Sequence, residues 1–349
     1  MVFNFGLIGL GRISDKHIEG IEKNEEANLY AICDKVEDKL NEKHENNPHA
    51  KAFLDYKKLL DDDNIDIVNI ATESGYHAEI AKDCLNHGKH VIVEKPMALS
   101  LKDARDMIDL AEKNGLKLAV CHQNRFNPTI QNLKSAVDKG NFGKIIHGVA
   151  SIRWNRNDDY YNMDDWHGTL KYDGGMLMNQ GIHNLDIMRW MMGDIEYIRG
   201  DIQTSLRDIE IEDIAVGTVK FRNGSLGIIE GSTCIYPTNL EETFNLFGKE
   251  GTVRIGGIAM NKVIDWTFEK DSIKDAINSS YETDSVYGYG HNLLFKDVID
   301  SIKEDRDPLV NGVEGMKAIE LIFGLYKSSM EKKPIRFPID NFSTLDMKE

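Results

Sequence analysis

Apolar strand-like runs alternate with longer amphipathic runs through residues 1–120, and this alternation restricts the fold more than any other feature. "VFNFGLIGL" has the continuous apolar character of a buried strand, and "RISDKHIEGIEKN" has helical spacing. The strand candidates "ANLYAICD", "NIDIVNIAT", "KHVIVEKP" and "LKLAVCHQ" follow, separated by the helix candidates "KVEDKLNEKHEN", "YHAEIAKDCLNHG" and "LKDARDMIDLAEKNG". Strands joined through helices of this length run parallel, and apolar strands of this kind need helices on both sheet faces. Residues 1–122 therefore read as a doubly wound α/β domain.

After "CHQNRFNP" the pattern changes. A helix, "TIQNLKSAVDKG", leads into the long alternating strand "GKIIHGVASIRWNR", a polar aromatic stretch and an apolar helix. A run of strands then carries the turn signals "RNGS" and "GKEG", which suit antiparallel hairpins. Two helices near 288–304 and 312–330 precede a short last strand, "PIRFPID". Residues 123–349 thus read as an α+β domain with an antiparallel sheet. The total of 349 residues agrees with two domains, since single cores stop growing at ~250–300 residues.

Several function classes are disfavoured by composition. The net charge of −16 argues against nucleic acid and anionic membrane as partners. Cys33, Cys84, Cys121 and Cys234 are dispersed, so neither a disulfide framework nor a structural metal site is expected. No apolar run reaches the ~18 residues of a membrane span. The N-terminus enters a strand directly, without a basic leader, and a cytoplasmic protein is the expectation.

Gly9 and Gly11 fill the first two places of a G-x-G-x-x-G turn between the first strand and first helix, and Ser14 fills the third. Such a turn seats a pyrophosphate on a helix N-terminus, where unpaired N–H groups and the dipole favour anions. Asp34 ends the next strand, where a carboxylate accepts from ribose hydroxyls and repels a 2′-phosphate. A Rossmann domain binding NAD is expected, with Lys35 as the feature that leaves NADP open. Glu94, Lys95 and Pro96 stand at the carboxyl end of a later strand, the edge where such sheets bind ligands.

In "GGMLMNQGIHNLD", Asn179 lies four residues before His183 and Asp186 three after it, a spacing that puts them on one helix face. Taken together, "GLIGLGRIS", Asp34, "IATESGYH", "VIVEKP" and G-x-H-x-x-D resemble the Gfo/Idh/MocA oxidoreductases along essentially the whole chain. "QNRFNP", "WHGT" and "DGGMLMNQGIHNLD" look most like the subgroup that oxidises C3 of UDP-N-acetylglucosaminuronate (UDP-GlcNAcA) for surface glycans such as lipopolysaccharide.

The resemblance implies a C-terminal domain with an open sheet, a homodimer or homotetramer, and NADH that is either released or re-oxidised in place by 2-oxoglutarate. It implies that Arg12, Ile13, Thr72, His77, Glu94, Lys95, Gln123 and Trp166 join Gly9, Gly11 and Asp34 around the cofactor. It also implies that Asn124, Arg125, Asn127, Arg153, Arg156, Thr169, Lys171, Tyr172 and Asn179 hold the substrate. No metal is expected. The four cations in this set suit a diphosphate and a uronate, because guanidinium groups bind both bidentately.

The family's usual set of Lys, Asp and His maps to Lys95, position 179 and His183, and position 179 here is Asn. An amide takes no proton at neutral pH, so Asn179 can only orient the substrate. The base is then His183 or Lys95; a histidine suits the task unaided and a lysine needs its pKa lowered. Asp186 is the candidate to orient the imidazole. The competing readings are an inositol or simple sugar dehydrogenase of the same family and a non-catalytic NAD-binding regulator.

Overall fold

One parallel and one mostly antiparallel sheet organise the chain in the computed structural model, which describes residues 2–269, 279–283, 286 and 288–348. The chain divides into two compact units, residues 1–122 with 291–316, and residues 123–290 with 317–349.

The first unit holds β1 (Phe3–Ile8), β2 (Ala27–Cys33), β3 (Lys51–Phe53), β4 (Ile67–Ile70), β5 (His90–Val93) and β6 (Leu118–Val120). They pair in the order β3-β2-β1-β4-β5-β6, every neighbour parallel. The order reverses between β1 and β4, the switch point outside whose carboxyl ends ligands bind in such sheets. Ile67, Val68 and Ile70 of β4 and Val91, Ile92 and Val93 of β5 are fully buried, as strands covered on both faces must be. The helix α1 (Ser14–Glu22) follows β1, α4 (His77–Asn86) follows β4 and α5 (Leu101–Asn114) follows β5. Ser100 caps α5 by accepting from the Asp103 N–H, and Gly115 ends it at φ +66°.

Residues 291–316 correct the expectation that everything after 122 forms one domain. The helix α9 (Gly290–Lys303) turns Phe295 onto Phe5, with ring centroids 6.0 Å apart, and His291 onto His17 at 5.4 Å. Gly20 makes this possible, since a Cβ there would lie 2.5 Å from the Phe295 ring. Asn311 then bridges to Ala119.

In the second unit, β7 (Ile145–Arg153), β8 (Ile195–Gln203), β9 (Ile214–Phe221), β10 (Leu226–Ser232), β11 (Glu241–Gly248), β12 (Gly251–Gly256), β13 (Lys262–Phe268) and β14 (Ile335–Arg336) form an open sheet. The order is β13-β12-β11-β7-β10-β9-β8-β14, antiparallel except for β7 with β10. The helix α8 (Ile182–Met192) lies on it and is buried along its length apart from Trp190. Glycines let it sit close: a Cβ at Gly148 would lie 2.5 Å from Met192 Sδ.

Candidate active site

The glycine turn has the geometry its sequence demands. Gly9 sits at φ +95°, and a Cβ there would meet the Ala71 carbonyl oxygen at 2.5 Å, so no other residue fits without a backbone shift. Gly11 is different: a Cβ would meet nothing within 4 Å, so the bare backbone there faces open space rather than neighbouring protein. Ser14 closes the turn by donating from Oγ to the Gly11 carbonyl at 2.6 Å. Among the described residues no side chain caps α1 at Ile13, and Arg12 is exposed beside this helix N-terminus, whose dipole favours an anion. Asp34 ties this turn to the next strand, accepting from the Leu10 and Val36 N–H groups at 2.9 Å each. Lys35 lies over the Tyr76 ring and 3.8 Å from Glu73. These features fit a dinucleotide pyrophosphate and an unphosphorylated ribose.

Two expected cofactor contacts turn inward instead. Glu94 accepts from His17 Nε2 at 2.9 Å and from the Lys95 N–H at 3.1 Å, and its side chain is buried. Hydrogen bonding to His17 and the neighbouring charges hold its pKa well below the ordinary carboxylate range, against the opposing effect of burial. Asn69 Nδ2 lies 2.7 Å from His17 Nδ1, so the imidazole is gripped on both sides. What Glu94 does is frame the turn that carries Lys95. His77 places Nδ1 2.8 Å from the Pro96 carbonyl oxygen and Nε2 2.9 Å from that of Thr72. Both ring nitrogens thus face backbone carbonyls; a neutral imidazole donates to only one of them, so His77 ties itself to one of the loops after β4 and β5 and faces the other. Burial pushes its pKa down. His17, Glu94 and Cys121 form the one group among the described residues with metal-ligand spacing. Both His17 nitrogens and the Glu94 carboxylate are already engaged, so the group is a hydrogen-bonded frame, not an open cation site.

Sequence reasoning put Asn179, His183 and Asp186 on one helix face; the structure gives them separate surroundings. Asn179 lies in a π-helical turn, Leu177–Gly181, that precedes α8, while His183 and Asp186 lie in α8 itself. Turns of this kind are frequent at functional positions in helices. The cause lies upstream. Gly174 and Gly175 have φ of +88° and +127°, and a Cβ at Gly175 would sit 2.1 Å from Tyr326 Oη. Glu212 then supplies the cap from a distant loop, its Oε1 accepting from the Leu177 N–H at 2.8 Å and from Tyr326 Oη at 2.7 Å. Burial pushes Glu212 up to about 8.

Asn179 Nδ2 donates to Asp173 Oδ1 at 2.6 Å and reaches Tyr160 Oη at 3.5 Å. Gln180 Nε2 donates to the same hydroxyl at 3.1 Å. Asp173 is buried, and its Oδ2 accepts from the Gly168 N–H at 2.8 Å. Sequence reasoning missed this residue; its signal was a carboxylate directly before the glycine pair. His183 is buried, with 8% of its surface exposed.

Asp186 is taken by Arg125, whose Nε donates to Oδ2 at 2.8 Å and Nη2 to Oδ1 at 2.6 Å. Arg125 is fully buried, with its guanidinium 4.8 Å from the centre of the Trp190 ring. This corrects two expectations: Arg125 is a buried ion-pair partner rather than a contact for a soluble anion, and Asp186 orients Arg125 rather than the imidazole. Arg153 is corrected likewise. It donates to Glu230 at 2.9 and 2.5 Å and also pairs with Glu241, so two carboxylates neutralise it.

Arg156 packs against aromatic rings. Its guanidinium lies 4.7 Å from the Trp154 ring centre and 5.1 Å from that of Tyr160. Its Nη1 donates to the Asn155 carbonyl and to Asn239 Oδ1, and no carboxylate pairs with it among the described residues. Lys171 is exposed over the Tyr172 ring at 4.8 Å. Thr169 Oγ1 donates to the Trp166 carbonyl at 2.7 Å, and Trp166 stacks on His167 at 3.7 Å. Gln123 and Asn124 are buried on a short 3-10 turn, and Asn127 Nδ2 donates to the Ala259 carbonyl at 2.9 Å. Gln123 Oε1 and Asn127 Oδ1 are buried and have no hydrogen-bond partner among the described residues.

A dinucleotide turn followed by a lysine at a strand's carboxyl end, on a chain whose second sheet carries a histidine helix, defines an NAD-dependent dehydrogenase. Residues 3–122 match the oxidoreductase family with an NAD-binding Rossmann fold, and residues 130–254 match the Gfo/Idh/MocA C-terminal domain. The chain belongs to the Gfo/Idh/MocA oxidoreductase family, among its NAD-dependent sugar dehydrogenases.

It is similar to the WlbA dehydrogenase of Bordetella pertussis, solved with NADH and UDP-GlcNAcA, at 36% identity and a TM-score of 0.93, covering 97% of this chain and 99% of that one. The WlbA dehydrogenase of Chromobacterium violaceum, solved with the same two ligands, is 33% identical with a TM-score of 0.91, covering 97% of each chain. Myo-inositol 2-dehydrogenase of Thermotoga maritima is 30% identical over 340 residues, 95% of this chain and 97% of that protein.

Proposed function

We propose that this enzyme oxidises C3 of UDP-GlcNAcA to the 3-keto sugar, a step toward diaminated uronic acids of surface glycans. The observation that carries the reading is the similarity, over 97% of the chain, to two dehydrogenases each solved with NADH and UDP-GlcNAcA. Bound NAD supplies the hydride acceptor. His183 takes the proton of the 3-hydroxyl, Lys95 hydrogen-bonds its oxygen, and Asn179 orients the sugar without taking a proton. Arg156, held between two aromatic rings with no carboxylate partner among the described residues, is the cation that meets an anionic group of the substrate.

The myo-inositol relative supports a second reading, a dehydrogenase of neutral polyols. The two separate by kinetics with NAD on UDP-GlcNAcA, on UDP-N-acetylglucosamine, which lacks the carboxylate, and on myo-inositol. The expected kcat/KM is highest for UDP-GlcNAcA, by roughly 100-fold or more over the two compounds that lack the uronate, because unmet charged groups in a site are costly. Faster turnover of myo-inositol overturns the proposal.

A further inference from the structure

We propose that Asp173 is a positioning residue: it fixes the side-chain amide of Asn179 so that the carbonyl oxygen, rather than the amino group, is presented to a hydroxyl of the sugar. This deepens the proposed role of Asn179 and rests on that reading. An asparagine side chain offers a donor and an acceptor in one plane, and a half-turn exchanges them. Left to itself it would present either end. Here the choice is made by a carboxylate, which can only accept: Asp173 Oδ1 lies 2.6 Å from Asn179 Nδ2. The flipped amide would set two oxygens against each other at that distance, inside a region where Asp173 is 1% exposed.

Asp173 is itself held. Its Oδ2 accepts from the Gly168 N–H at 2.8 Å, and the Asp173 and Gly174 N–H groups both donate to the Thr169 carbonyl, at 3.1 and 2.9 Å. Gly168, Gly174 and Gly175 at φ of +77°, +88° and +127° shape the loop that returns this carboxylate to the helix. Tyr160 Oη lies 3.5 Å from the same Nδ2 and can accept from it as well. Asn179 therefore shows the sugar an acceptor, as an aspartate would, but carries no charge.

The pair also explains why position 179 is not a carboxylate. An aspartate there would place two acids about 2.6 Å apart in buried surroundings, where both cannot ionise and one must hold a proton. The acid at 173 and the amide at 179 work only as complements.

The test is a set of variants assayed with NAD on whichever sugar the wild type oxidises, so that a wrong sugar assignment and a wrong role for Asp173 give different results. D173N is expected to raise KM about tenfold, with a smaller fall in kcat, because the amide loses its fixed orientation. N179A is expected to lose at least as much, and D173N on the N179A background should cost nothing further, the signature of a residue acting through another. N179D alone should add an ionisation to the pH profile of kcat/KM that wild type lacks. The exchange D173N/N179D, which restores one acid and one amide, should remove that ionisation and recover most of the activity. NAD affinity by fluorescence titration reports that each variant is folded. Full additivity of D173N with N179A, or an exchange no better than its single variants, overturns the proposal. Should D173N alone fail to fold, the exchange decides: a folded and active protein supports the pairing, and an unfolded one overturns it.

Discussion

At the residue scale, the choice of base rests on which side chain can change its proton at neutral pH. A histidine's ordinary pKa of ~6.5 suits a general base, whereas a lysine starts at ~10.4. His183→Asn is expected to cut kcat by about 100- to 10,000-fold with NAD affinity unchanged, the range usual for losing general acid–base catalysis. Lys95→Met should lower kcat as well but leave the pH dependence assigned to the base in place. Steady-state kinetics across pH check both; near-normal turnover of His183→Asn with loss of turnover in Lys95→Met would exchange the two roles. Individual residues also mark where sequence reading stops. Gly9, Gly11 and Asp34 were legible for different reasons: backbone geometry demands glycine at 9, a bare backbone at 11 leaves room for a ligand, and a carboxylate at 34 ends the second strand. The arginines were not legible, because charge type says nothing about partners. Arg125 and Arg153 found carboxylates at Asp186, Glu230 and Glu241, all of them far away in the chain. Asp173 was missed for the same reason: its bond to Asn179 depends on a loop bent by three glycines at positive φ.

At the element scale, β11 carries a carboxylic acid into the second unit's interior. Glu242 is buried, its Oε1 has no hydrogen-bond partner among the described residues, and burial pushes it up to about 8, opposed by Arg156. Glu212, which caps the π-helical turn, is raised to about 8 as well. A raised acid holds its proton in the folded state after the unfolded chain has lost it. The stability it contributes is complete below the unfolded pKa of 4.5 and is lost as pH rises toward about 8. Each group changes the unfolding free energy by at most ~1.4 kcal/mol per pH unit in that window. Glu242→Gln is expected to flatten the fall of Tm from pH ~5 to ~8, as read by scanning calorimetry; identical slopes for variant and wild type would count against a protonated Glu242.

The elements themselves were mostly visible in the sequence, since a strand–helix alternation and two glycine-bearing hairpins follow from local pattern. β3, only Lys51–Phe53, is too short to show a pattern, and β13 carries too mixed a burial pattern to stand out. The placement of α9 against β1 and α1 could not be read at all, because Phe295 on Phe5 is a contact across almost the whole sequence.

At the scale of the whole molecule, an acidic chain with net charge −16 is proposed to bind an anionic nucleotide sugar. Net charge sets only the distant field, and local cations decide binding at contact. With Arg125 and Arg153 neutralised, that local charge is concentrated on fewer groups than the sequence suggested, Arg156 foremost. No helix among the described residues is long and apolar enough to cross a membrane. The family and the two-sheet architecture were both accessible from motifs, because the dinucleotide turn and the E-K-P step sit at fixed places in the strand order. The substrate is the part that motifs alone leave open.

The most direct measurement uses UDP-GlcNAcA carrying deuterium at C3, incubated with the enzyme and NAD, with the reduced cofactor analysed by mass spectrometry. The account predicts that the deuterium appears on the nicotinamide and that the sugar becomes a 3-ketone. Reduced cofactor without deuterium, or no reduced cofactor while myo-inositol is oxidised, would contradict it.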